Sequence, residues 1–100
     1  MYPNIFDQSH LAHICQKYQV YFLGVFGSYS RGDQKPESDM DLLVKFSPDE
    51  KGGLFALSRM RDDLEHLSNK KIDLLTEGFL SKYFRDEVLA ETKPLYVKTQ

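Results

Sequence analysis

Asp39 and Asp41 stand two residues apart at the head of an apolar run, in the segment SDMDLLVKF. Met40, Leu42, Val44 and Phe46 alternate with Asp41, Leu43 and Lys45. That period of two predicts a half-buried strand, with Asp39 and Asp41 on one face and a row of core residues on the other. Like charges so placed raise a carboxyl pKa, and without a cation at least one of the two tends to hold a proton. A hard divalent cation removes the conflict, and Mg2+ is commonly held by one or two carboxylates together with substrate phosphates. Upstream, across a spacer of ten residues, Gly27-Ser28 ends another apolar run. Glycine lets the backbone come close to a ligand, and backbone N–H groups at a following helix start can face phosphate oxygens. Val25 to Phe46 therefore offers a metal site and a phosphate site in one stretch. Either fragment alone is commonplace, as solvated acids or as a turn. The conjunction carries the reading.

A third acid belongs with these two. Lys70 to Thr76, KKIDLLT, predicts a short strand, and Leu54, Leu57, Met60, Leu64 and Leu67 predict an amphipathic helix before it, with Arg59, Arg61, Asp62, Asp63 and Glu65 outside. A helix between two strands permits a parallel crossover, so both strands start at the same end of the sheet. Asp73 then reaches the edge where Asp39 and Asp41 lie. The short connection after Gly27-Ser28 lets the first strand run antiparallel and end at that edge too. Alone, Asp73 reads as an acid beside Lys70 and Lys71; in this context it reads as the third carboxylate of the site.

The order apolar strand, Gly27-Ser28, spacer, Asp39-Met40-Asp41, apolar strand resembles the signature of the polymerase-beta-type nucleotidyltransferases. More narrowly, GSYSRG…SDMDLLV resembles the minimal nucleotidyltransferases (MNT proteins), many of which are the antitoxin halves of HEPN–MNT toxin–antitoxin pairs. Asp73, flanked by Ile72 and Leu74, matches the family's third acid. The resemblance implies an α/β (α+β) nucleotidyltransferase fold, a small mixed sheet of three strands, or four, flanked by helices. It implies two Mg2+ ions on Asp39, Asp41 and Asp73, with Asp73 on the ion that activates the acceptor, and a triphosphate held by Gly27 and Ser28. The implied reaction is transfer of NMP, AMP from ATP, to an acceptor hydroxyl, here a tyrosine of a HEPN toxin. Larger relatives enclose nucleotide and acceptor with an additional domain, so a partner is expected to supply the second wall. Two other readings stay open: an antitoxin or regulatory module that acts by binding alone, and a small-molecule, aminoglycoside-type nucleotidyltransferase subunit. Arg31, one turn beyond Ser28, either pairs with a nearby acid, or orients the acids or meets a phosphate.

One hundred residues suffice for one domain with a single core, expected to span 1–100. A net charge of −2 argues against a free-standing nucleic-acid binder, which would carry a basic surface. Small nucleotides remain open as ligands. No run approaches the length of a membrane span, and MYPNIFDQSH lacks the basic start and apolar stretch of a signal peptide. With Cys15 as the single cysteine, no intrachain disulfide can form, and the expected location is cytoplasmic. Assembly is left open between homo- and hetero-oligomer.

The remaining elements follow from apolar patterning, caps and turn residues. Ile5 to Lys17 predicts a first helix capped by Asp7 or Ser9, with Leu11, Ile14, Cys15 and Tyr18 as its apolar face. Val20 to Phe26 suits a central strand covered on both faces, with Gly24 marking close packing or a bulge. Tyr29 to Gly32 predicts a short helical turn capped by Ser28 and ended by Gly32. Asp33 to Ser38 is a polar loop, and Ser47 to Gly53 a turn-rich connection. Glu77 to Glu91 predicts a last helix with Leu80, Tyr83, Phe84, Val88 and Leu89 facing inward, and Pro94 to Val97 a short extended end.

Overall fold

Alternation along the second apolar run makes a strand, as its period demands, and that strand organises the rest. The structure is a computed structural model that describes residues 6–48 and 52–98. Ile5, expected to open the first helix, and residues 49–51 of the following connection lie outside the described residues. The elements run α1 (Gln8–Lys17), β1 (Val20–Phe26), α2 (Ser28–Arg31), β2 (Met40–Phe46), α3 (Gly53–Ser68), β3 (Ile72–Thr76), a short 3-10 turn (Glu77–Phe79), α4 (Lys82–Glu91) and β4 (Lys93–Val97). They form a mixed four-stranded sheet in the order β3-β2-β1-β4. β2 and β3 are parallel, joined through α3, while β1 runs antiparallel to both β2 and β4. The end of β1 and the starts of β2, β3 and β4 therefore meet at one rim.

One face of the sheet packs on α1 and α3. Leu23 and Val25 of β1, Met40, Leu42 and Val44 of β2, and Ile72 and Leu74 of β3 join Leu11, Ile14 and Cys15 of α1 with Met60 and Leu64 of α3 in one buried cluster. Asp7 caps α1, its carboxylate accepting the His10 N–H at 3.0 Å. Asp63 of α3 ties the two helices, accepting from the Tyr18 hydroxyl at 2.7 Å and the Lys17 ammonium at 3.2 Å. Glu65, expected on the outer surface, instead accepts the Ile72 N–H at 2.9 Å and anchors the start of β3. Leu54, assigned to the core stripe, is exposed beside Phe55, because the stripe is buried only from Ala56 onward.

The C-terminal third departs most from its pattern. Ser81 caps α4 by accepting the Tyr83 N–H, so the expected helix divides into a 3-10 turn and a shorter helix. α4 buries no residue: Tyr83 and Phe84 are 80% and 60% exposed, where an inward position was expected. Tyr96 does pack against the core cluster, on the fourth strand. β4 is an edge strand, which accommodates Pro94, a residue that cannot donate to a ladder. Gly24 fills both roles expected of it. The β1–β4 register shifts between Leu23 and Gly24, and a Cβ there would sit 2.5 Å from the Thr92 methyl carbon.

Candidate active site

β2 and β3 are in a register that sets Asp41 directly beside Asp73. The Met40 N–H donates to the Lys71 carbonyl at 3.0 Å and fixes the two strand starts side by side. Core residues Met40, Leu42, Ile72 and Leu74 flank the two acids along their strands and point to the opposite face. Packing of that apolar face is what holds the carboxylates together. Asp41 is half-buried and Asp73 exposed; Asp39, just before β2, is also exposed. Burial, then the charge of Asp73 and that of Asp39, push the Asp41 carboxyl up to about 6 from its ordinary 3.8, against a weaker downward pull from Arg31. A hydrogen bond between the Asp41 and Asp73 side chains adds to the rise.

The turn after β1 presses against this pair. Phe26 is the register partner of Asp41, and Gly27 follows it at φ 71, ψ −151. That region is essentially restricted to glycine. A Cβ on Gly27 would lie 2.2 Å from Asp41 Oδ2. Gly27, not Ser28, is the N-cap residue of α2, and Ser28 is already helical, so its side chain makes no capping bond. The expected Ser28 cap is thereby corrected: capping requires a residue outside helical φ and ψ. Gly32 ends the turn in the left-handed conformation, at φ 79.

Arg31 pairs with Asp33 at 3.3 Å and with Glu91 at 3.0 Å. Ion pairing, one of the roles left open for it, is present. The rim thus gathers Gly27, Ser28, Arg31, Asp39, Asp41 and Asp73. Glu91, which no sequence pattern marks, joins them from the end of α4, accepting the Gly27 N–H at 3.1 Å. It lies 64 positions from Gly27 in an acidic, helix-forming stretch, and only the tertiary fold reveals it. Lys70 approaches the same turn, its ammonium 5.9 Å from the centre of the Tyr29 ring.

Among the described residues, no three His, Cys, Asp or Glu side chains form a ready-made ion cage. The donor set nonetheless suits a hard cation. It consists of carboxylate oxygens, with Asp41 and Asp73 side by side on neighbouring parallel strands. Mg2+ in particular completes its shell with water and phosphate oxygens rather than with a full protein cage.

Residues 8–95 match the family of nucleotidyltransferase domains. The chain belongs to that family. Protein adenylyltransferase MntA of Thermococcus cleftensis is 34% identical over 83 residues, 83% of this chain and 82% of the relative. A solved structure provisionally named a minimal nucleotidyltransferase superposes with a TM-score of 0.75 at 32% identity, over 88% of each chain. The fold is also that of a chain in the complex of tri-AMPylated Shewanella oneidensis HEPN toxin with MNT antitoxin. That match has a TM-score of 0.62 at 17% identity, over 91% of this chain and 70% of the other. In this nucleotidyltransferase domain, the rim described above lies within the matched residues, as does Glu91.

Proposed function

We propose that this nucleotidyltransferase moves AMP from ATP to a tyrosine hydroxyl of a HEPN-type toxin, acting in the cytoplasm as the antitoxin of the pair. The observation that carries the reading is the side-by-side placement of Asp41 and Asp73 against the Gly27 turn. Support for the acceptor comes from the adenylyltransferase name of the Thermococcus relative and the AMPylated toxin in the Shewanella complex.

Asp41, Asp73 and Asp39 would hold Mg2+ together with the triphosphate, and the bound ions supply Lewis acidity toward phosphate and acceptor oxygens. Gly27 brings its backbone against the triphosphate tail, and Ser28 offers its hydroxyl to the same phosphates. Arg31 offsets the negative charge of the rim. The acceptor oxygen attacks the α-phosphorus, the bond to the bridging oxygen breaks, and pyrophosphate leaves with that electron pair. The hydroxyl proton passes to an Asp73 carboxylate oxygen, which is exposed and so accessible to an acceptor from outside. The chain's remaining task is positioning and charge stabilisation, which supply most of the rate in such transfers.

The test is incubation with labelled ATP, Mg2+ and the HEPN-type toxin of the proposed pair. Wild type is expected to place label on toxin tyrosine, and Asp41→Asn to place none. Tight binding of the toxin with no label in either case would replace this reading with neutralisation by contact alone. Label passing to an aminoglycoside and not to the toxin would replace it with a small-molecule transferase.

A further inference from the structure

Glu91 makes more contacts with the Gly27–Arg31 turn than any local sequence relation requires. One carboxylate oxygen, Oε2, accepts both the Gly27 N–H at 3.1 Å and the Arg31 guanidinium at 3.0 Å. The backbone carbonyl of the same residue accepts the hydroxyl of Ser30, which is itself buried. Three of the turn's five residues are thus tied to one residue on another element.

That residue is itself fixed. Thr92, next in the chain, bonds back to the Val88 carbonyl through both its N–H and its hydroxyl. Its methyl group sits over Gly24, in space that any larger residue at that position would fill. Lys93 then enters β4 opposite Val25. Glu91 is held between a helix end and a strand start, so its carboxylate is an anchored group rather than a mobile surface side chain.

We infer that Glu91 is a positioning residue for nucleotide binding, acting through the Gly27–Arg31 turn. This rests on the proposed placement of the triphosphate at Gly27 and Ser28. Gly27 sits against Asp41 Oδ2 with no room for a Cβ, so any rotation of the turn changes the gap between phosphate donors and carboxylates. Arg31 is shared between Asp33 and Glu91, which orders a long side chain that would otherwise sample many rotamers at the mouth of the site. A carboxylate beside a polyanion would repel it if unpaired; its bonds to Arg31 and Gly27 offset that charge while fixing geometry.

The test compares the full chain with Glu91→Ala, Glu91→Gln and Glu91→Asp. Amide hydrogen exchange at Gly27, ATP binding in Mg2+ and steady-state transfer are all measured. Glu91→Ala is expected to speed exchange at Gly27 and raise the KM and Kd for ATP by about tenfold, with kcat within about threefold. Glu91→Gln keeps an oxygen that can accept both bonds and is expected to hold KM within about threefold of wild type. Glu91→Asp keeps the charge but withdraws it by one methylene, and is expected to raise KM without loss of folding, which preserves the test if the alanine variant unfolds. An ATP affinity for Glu91→Ala, or failing that Glu91→Asp, equal to wild type overturns the inference. A tighter affinity overturns it as well, since the carboxylate would then be a competitor of the triphosphate. A glutamine variant as weak as the alanine variant also overturns it. Wild type that binds no ATP sinks the proposed function together with this inference; wild type that binds, with the variants unchanged, sinks this inference alone.

Discussion

Asp41 carries the electrostatic tension of the molecule. Its carboxyl is pushed up to about 6 from 3.8 by burial and by Asp73 and Asp39, so the folded chain binds a proton more tightly there than the unfolded chain does. Stability from this group is therefore present below pH 3.8 and is lost as pH rises toward 6, after which the contribution is level. In metal-free protein, the melting temperature of Asp41→Asn is expected to exceed that of wild type at pH 7, with the difference shrinking as pH falls through that window. Thermal melts at several pH values in chelator check it. Gly27→Ala tests the other side of the contact. A left-handed backbone and a Cβ placed against Asp41 Oδ2 should cost on the order of 2 kcal/mol in denaturant melts, with transfer lost. Residue type and spacing single out Gly27, Asp39 and Asp41 as candidates, whereas Asp73 needs the parallel crossover as well, and the strand register sets it beside Asp41. Ser28 as a helix cap was misread, since only the Gly27 φ and ψ show where the helix begins.

Elements were legible where one periodicity held throughout. α1, β2 and α3 follow from theirs, β1 from a nearly unbroken apolar run, and the parallel β2–β3 pair from the intervening helix. The last third was less legible because its signals are short and mixed. β4 has five residues, one of them proline, and gains its strand character from lying beside β1. α4 carries two adjacent aromatic residues, Tyr83 and Phe84, that meet no core. Replacing Tyr83 or Phe84 by Ser is accordingly expected to change stability by no more than about 0.5 kcal/mol, where a core aromatic would cost several. Chemical denaturation of both variants measures this. Gly24→Ala should behave oppositely. Its Cβ would meet the Thr92 methyl carbon at 2.5 Å, and such overpacking costs about 1–3 kcal/mol. Separation of the α4–β4 junction from β1 would also displace Glu91, so ATP affinity should fall along with stability.

Across the whole molecule, one apolar face builds the site by dictating strand order and register. Four strand ends reach the same rim only because β2 and β3 run parallel while β1 opposes both β2 and β4. No helix of the described residues is long and apolar enough to cross a membrane. A net charge of −2, with acids gathered at the rim, makes the chain's stability responsive to cations that bind there. Mg2+ with ATP at about 100 times its Kd is expected to add about 2.7 kcal/mol, and chelator to remove it. In the proposed site, Asp73, from a separate strand, shares one cation and triphosphate with Asp41. Calorimetric titration of a non-hydrolysable ATP analogue in Mg2+ tests this most directly, using wild type, Asp41→Asn and Asp73→Asn. Binding to wild type is expected, with a loss of about tenfold or more in each variant; an Asp73→Asn variant that binds as tightly as wild type would overturn the shared site.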